Sequence, residues 1–154
     1  MVPWIAPEIT PTVKQAGIRR RGFDASDAGR NVRALVEGQA CAMRLHSRWI
    51  APDVQSIRAT GGASHNRDVL QVIADVFGAE VLRMHSSNAA ALGAAIRAWH
   101  GDAAASGTPI SWQEGVAPFT APEWRVTPNP RNSAIYRTVL TEYGAFEQEC
   151  LQRL

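Results

Sequence analysis

The residues of this chain whose types and spacing best suit chemistry are the adjacent Gly61 and Gly62, followed by Ala63 and, one turn on, Asn66. A strand-like run precedes them and a helix-like run follows. Where a strand ends in glycine and passes into a helix, the missing Cβ atoms let a ligand approach the main chain. The unpaired N–H groups of the first helical turn then point at whatever lies there. A phosphate fits such a place, but a tight turn calls for the same two glycines on conformational grounds alone. Asn66 is open to two readings as well. It can cap the helix, or it can offer a donor and an acceptor to a purine edge or a ribose. His65 reads as an exposed histidine at a helix start, because no carboxylate lies near it in sequence to orient it for proton transfer. Two other phosphate fingerprints are absent from the sequence: there is no Gly-Lys-Ser/Thr of a P-loop and no G-x-G-x-x-G. His46, His85 and His100 are not at metal-ligand spacing, and no metal site is assigned to side chains of this chain.

The elements that must position these residues can be read from periodicity. Val32, Leu35, Val36, Ala40, Met43 and Ile50 recur at helical spacing, with Ser26 or Asp27 available as a cap, and this helix should stop before Pro52. The run "VQSIRAT" reads as a short strand ending at the glycines. Beyond them Val69, Leu70, Ile73, Val76 and Phe77 make one apolar helical stripe, which Gly78 is placed to end in a left-handed conformation. "AEVLRM" reads as a second strand. "SSNAAALGAAIRAWHG" reads as a helix capped by Ser87 or Asn88 and stopped at Gly101, with small side chains suited to close packing on a sheet or another helix. From Asp102 to Pro130, scattered prolines and glycines predict surface loop anchored by Trp112, Phe119 and Trp124. Ile135, Val139, Tyr143, Phe146 and Cys150 are spaced as one face of a closing helix. Residues 1–26, with Pro3, Pro7 and Pro11 and no periodic apolar pattern, read as an extended lead-in from a part that lies outside this chain, and 27–154 as the domain proper.

Composition sets the outer limits. The 154 residues, 45% hydrophobic and 19% charged, are enough for one domain with a sizeable core. The formal net charge is only +2, and the basic residues are dispersed apart from Arg19, Arg20 and Arg21, which read as a solvated loop; no nucleic-acid partner is expected. The start "MVPWIAPEITP" lacks a basic n-region and an apolar run long enough for a signal or a membrane span, so no membrane partner is expected and a cytoplasmic setting is. Cys41 and Cys150 fall inside helical patterns and read as buried thiols of a reducing compartment.

Four stretches together carry a resemblance: "EITP" at Glu8–Pro11, "VRALVEGQ" at Val32–Gln39, "ATGGASHNRDVLQVIADVFGAEV" from Ala59, and "SNAAALGAAIRAWHG" from Ser87. They resemble the carboxyl-terminal half of the xylulokinases of the FGGY carbohydrate kinase family, and Thr-Gly-Gly-Ala-Ser-His-Asn resembles the eukaryotic-type spelling. The similarity is weakest from Thr12 to Gly29. It implies a partial actin-like, ribonuclease-H-like α/β lobe, a mixed sheet with packed helices, as the second of two lobes that close on ATP and sugar. Gly61, Gly62 and Ala63 would pass beneath the phosphates and ribose, and Asn66 would lie against the adenine. Magnesium would be held mainly through the nucleotide. The resemblance also implies that D-xylulose is bound through the other lobe and that the catalytic base belongs there. No catalytic residue is therefore assigned here, and Asp24, Asp27, Asp53 and Asp68 do not occupy the catalytic aspartate's motif. An N-terminal kinase lobe, or a second copy of the chain, is the expected partner.

Overall fold

The computed structural model describes residues 1–85 and 88–154. It is an α/β arrangement whose central element is one helix shared by two cores. Helix α2 (Arg67–Phe77) lies between a three-stranded sheet on one side and two long helices on the other, α1 (Ala28–Ser47) and α5 (Pro130–Leu151). The sheet has the order β3 (Ser56–Ala59), β4 (Glu80–Met84), β5 (Pro122–Val126), with β4 in the middle, parallel to β3 and antiparallel to β5. A parallel pair needs a crossover, and α2 supplies it, forming a βαβ unit. This is the mixed sheet with packed helices that the sequence implied.

The helix ends follow their caps. Asp27, not Ser26, caps α1 by accepting a hydrogen bond from the Arg30 N–H at 3.0 Å. Gly78 ends α2 at φ 64° and ψ 27°, in the left-handed region expected of it. Helix α1 stops at Ser47, so Ile50 lies beyond the helix and is exposed rather than part of its stripe. Asn88 caps helix α3 (Ala89–Ala105), and the alternative, Ser87, lies outside the described residues. Gly101 does not stop that helix. The run Asp102–Ala105 carries it on, because one glycine costs only about 1 kcal/mol against good helix formers on both sides.

The first core joins Ala40 and Cys41 of α1, Val72 and Val76 of α2, and Tyr136, Leu140, Tyr143 and Cys150 of α5. The second lies between α2 and the sheet: Leu70, Ala74, Val81 and Val126, with Ile57, Ala59, Ile73 and Trp124 packed against them. On α5 the buried face is Tyr136, Leu140, Tyr143, Glu147 and Cys150, so Ile135 turns outward, contrary to the expected stripe. Both cysteines are buried free thiols, as expected. Glu147 is wholly buried and meets His46 Nε2 at 2.9 Å, which answers its charge with a donor.

Asp75, only 3% exposed, ties α2 to the start of α5. Its carboxylate accepts from the Asn129 N–H at 2.7 Å, from Asn132 Nδ2 at 2.8 Å and from Gln71 Nε2 at 2.8 Å. Asn129 in turn caps α5 with its own side chain.

Three other regions depart from expectation. The lead-in carries two short antiparallel strands, β1 (Val2–Trp4) and β2 (Gly17–Arg19), and Val2, Trp4 and Val13 are buried in the first core. Strand β1 reaches α1 at Gly38, where an added Cβ would stand 2.5 Å from the Met1 carbonyl oxygen. The three arginines are not a free loop: Arg19 lies in β2, Arg20 donates to Asn31, and Arg21 pairs with Glu149 over the Phe146 ring. Within the expected loop from Asp102 to Pro130 lie a short helix α4 (Trp112–Val116) and strand β5; Trp124 is an anchor, while Trp112 and Phe119 remain about half exposed.

Candidate functional site

The glycine turn sits where the sheet hands the chain to α2. Strand β3 ends at Ala59, and Gly61 follows with φ 82° and ψ −175°, a conformation that a side chain resists. Residues Gly62–His65 form one turn of 3-10 helix, and Asn66 joins it to α2. Ser64 locks the turn from inside: it is buried, its Oγ donates to the Gly61 carbonyl at 2.6 Å, and its N–H donates to the same oxygen at 3.2 Å. Gly62, Ala63, His65 and Asn66 face outward.

The two glycines differ in what they need. Gly61 is required by its backbone angle. Gly62 is not in the left-handed region, and nothing lies within 4 Å of where its Cβ would stand. Neither the fold's conformation nor its packing therefore demands glycine at 62. The conformational reading accounts for the first glycine only.

Asn66 is the N-cap of α2. Its Oδ1 accepts from the N–H groups of Asp68 at 2.9 Å and Val69 at 3.1 Å. Both acceptor lone pairs are thereby engaged, so the side chain retains only its Nδ2 donors for anything outside the protein. The expectation of a donor and an acceptor is corrected to a donor alone. Asn66 also rims a groove of about 550 Å³ between the first turns of α1 and α2, whose walls include Ala28, Val32, Val36, Val69 and Val72. Arg33 closes one side and is held in place: its Nε donates to Glu37 at 2.6 Å and its Nη2 to Tyr136 Oη at 2.9 Å. The Glu37 contact is the chief reason its guanidinium is raised above its ordinary range. An apolar slot of this size, with a donor at its mouth and the glycine turn beside it, suits a flat heteroaromatic ring attached to an anionic tail.

Sequence reasoning missed Arg83. It is only 5% exposed, lies near the end of the central strand, and pairs with Glu123 of β5. Its Nη2 also stands 3.1 Å from His65 Nε2 and 3.3 Å from Nδ1. "VLRM" signals a strand, but nothing in it announces a partner forty residues away. Among the aspartates left without a catalytic role, Asp27 is a helix cap, Asp68 lies in the first turn of α2, and Asp24 accepts from Ser26, which lowers its carboxyl below the usual range.

With this geometry in place, comparison with known proteins defines the class. Residues 7–101 match the family description "FGGY family of carbohydrate kinases, C-terminal domain", and the chain belongs to that family. It is 41% identical to the xylulose kinase of Mus musculus over 154 residues, covering 94% of this chain and 27% of that protein. It thus spans about a quarter of the length of that relative. Among solved structures, the xylulose kinase of Rhodospirillum rubrum superposes with a TM-score of 0.67 at 26% identity, over 84% of this chain and 26% of that one. The gluconate kinase of Lactobacillus acidophilus superposes at 0.69 with 21% identity, over 83% of this chain and 26% of that one, a likeness of fold alone. The fold is the actin-like α/β lobe that the sequence implied.

Proposed function

We propose that this chain is the nucleotide-binding lobe of a D-xylulose kinase, in which ATP phosphorylates D-xylulose to D-xylulose 5-phosphate. The observation that carries the reading is Gly62, a glycine with open space at its Cβ position and no backbone need for it, in a turn exposed at Gly62 and Ala63. The absence of a side chain there serves something outside the protein. Gly61, Gly62 and Ala63 would run beneath the phosphates and ribose. Asn66 would donate through Nδ2 to a ring nitrogen of the adenine lying in the groove between α1 and α2. Magnesium would bind mainly through the phosphates and would offset their charge; no side chain of this chain is assigned to it.

In this reading residues 1–26, which pack into the first core through Val2, Trp4 and Val13, join the lobe of 27–154 to another part of the kinase. Phosphoryl transfer needs a base for the attacking hydroxyl and a bound sugar, and this chain supplies residues for neither, so the pure 154-residue protein should turn over no xylulose. The setting is cytoplasmic; among the described residues no helix is long and apolar enough to cross a membrane. A second reading concerns only the sugar. Because the sugar pocket lies outside this chain, the same lobe would suit another FGGY sugar or polyol kinase, such as one for ribulose or glycerol, and an activity panel on the complete protein that contains this chain decides among them.

Isothermal titration with magnesium-ATP tests the reading, run on the unmodified chain and on Gly62→Val and Asn66→Ala. Binding that weakens in both variants supports it. Binding that is indifferent to Gly62→Val refutes the role of the turn. Xylulose-dependent consumption of ATP by the chain alone would overturn the division of labour between lobes.

A further inference from the structure

Arg83 is placed where a charge has no structural reason to be. It stands on the central strand with the same parity as Val81, whose side chain packs in the core under α2, and an alternating strand sends the two to the same face. The sheet register shifts between Arg83 and Met84, and such a shift re-aims side chains. Glu123 meets the guanidinium there, while the buried Nε has no hydrogen-bond partner among the described residues. Removing a charge from water at such a site is costly, and an apolar residue would fill the position more cheaply. Among the described residues its other polar contact is with His65, the last residue of the glycine turn and the neighbour of Asn66.

We propose that Arg83 is a positioning residue for the nucleotide turn, holding neutral His65 so that Gly62–Asn66 keep their binding geometry, and that protonation of His65 releases the turn. The inference rests on the nucleotide reading given above. A guanidinium carries a positive charge and donors but no acceptor. Both ring nitrogens lie within 3.3 Å of Arg83 Nη2, so the guanidinium lies over the face of the imidazole, where the neutral ring attracts a cation. A second proton on the ring removes that attraction and sets two positive charges at contact distance.

The other charged groups near the pair come from β5 and the start of α2: Glu123, Arg67 and Asp68. Glu123 is engaged by Arg83 and lies 3.7 Å from His85 Nδ1. Arg67, at the start of α2, stacks on Trp124 at 4.3 Å, and Asp68 gives its N–H to Asn66. Arg83 itself is too buried to touch a ligand, so it acts through His65.

The test is a nuclear magnetic resonance titration of the full chain between pH 5.5 and 8, following His65 Cε1–H and the amides of Gly61 to Asn66, in the unmodified protein, Arg83→Met and His65→Asn. The amides should move with the His65 titration in the unmodified chain and not in either variant. ADP affinity, measured on the same samples, should fall at least about threefold more between pH 8 and 5.5 in the unmodified chain than in His65→Asn, a difference that cancels the ligand's own titration. Amides that ignore the His65 proton, or follow it equally in Arg83→Met, overturn the proposal. Amides that follow it while ADP binds at neither pH leave the positioning role standing and show instead that the turn does not hold a nucleotide without the other lobe. Should Arg83→Met fail to fold, Arg83→Lys, which keeps a charge for Glu123 but lacks the planar guanidinium over His65, takes its place in the same comparison.

Discussion

Helices α2 and α3 each follow a strand and are each rich in apolar residues, yet they end in opposite surroundings. Leu70, Val72, Ala74 and Val76 of α2 are buried against two cores. On the longer α3 only Ala103 is buried; the helix packs on α4, and Trp99 is 49% exposed. The difference lies in side-chain size and arrangement. Helix α2 gathers Leu, Val, Ile and Phe onto faces wide enough to meet a layer on each side. Helix α3 spreads alanines around its circumference, and an alanine contributes little area to burial wherever it points. Apolar composition alone thus says little about where a helix sits. Large side chains gathered on one face say much more.

The largest effect that would sharpen this contrast comes from truncating one leucine in each helix. Leu70→Ala should cost about 2 to 5 kcal/mol in denaturant unfolding, since it leaves a cavity between α2 and the sheet. Leu92→Ala on α3 should cost about 1 kcal/mol or less. Equal costs would mean that α3 is held by a core not evident in its packing.

Next come the two glycines. Gly61→Ala should destabilise by about 1 to 2 kcal/mol because of its positive φ. Gly62→Ala should leave the unfolding midpoint within about 0.5 kcal/mol of the unmodified chain while still weakening magnesium-ATP binding. A large stability loss at Gly62 would restore the conformational account of both residues. The caps should differ in the same sense but less. Asn66→Ala should cost about 1 kcal/mol because α2 is part of both cores. Asn88→Ala should fray α3, seen as lost helical signal, and move the global midpoint by less than about 0.5 kcal/mol.

The last effect is alkaline. Burial pushes the Cys41 thiol up to about 11, with Glu37 adding to it, and burial followed by the Glu37 hydrogen bond pushes the Tyr136 phenol up to about 12. Both groups are favoured neutral in the fold and ionise more readily once unfolded. Their contribution is complete below pH 9 and is lost as the pH rises toward 11 and 12. At pH 9.5 the loss should stay below about 1 kcal/mol. A midpoint that stays constant to pH 11 would contradict the burial of these groups.

Much of the site was legible because its signals are local. The strand into glycine, the asparagine cap and the left-handed Gly78 each depend on a few neighbouring residues, and each is found where the sequence put it. What was missed depends on distance. Strand β5 alternates the more buried Trp124 and Val126 with the exposed Glu123 and Arg125, a period-two pattern present in the sequence but obscured by the prolines around it. Val2 and Trp4 are buried because α1 and α5 come to them, and no three-residue run foretells that. Arg83 looks like any strand cation until β5 and the glycine turn are brought beside it.

The carboxylate of Asp75 bears on the order in which the chain can be put together. It receives the first turn of α5 from a position on α2, so the carboxyl-terminal 22-residue helix has its starting point specified by a residue more than fifty positions earlier. Before α5 arrives, that carboxylate must keep its water or find other donors; once α5 docks, backbone and side-chain amides replace the water. Assembly in which α2 forms first and α5 registers onto it never strands the charge. A helix docked one turn out of step would leave the Asp75 carboxylate with Gln71 but without the amides of Asn129 and Asn132.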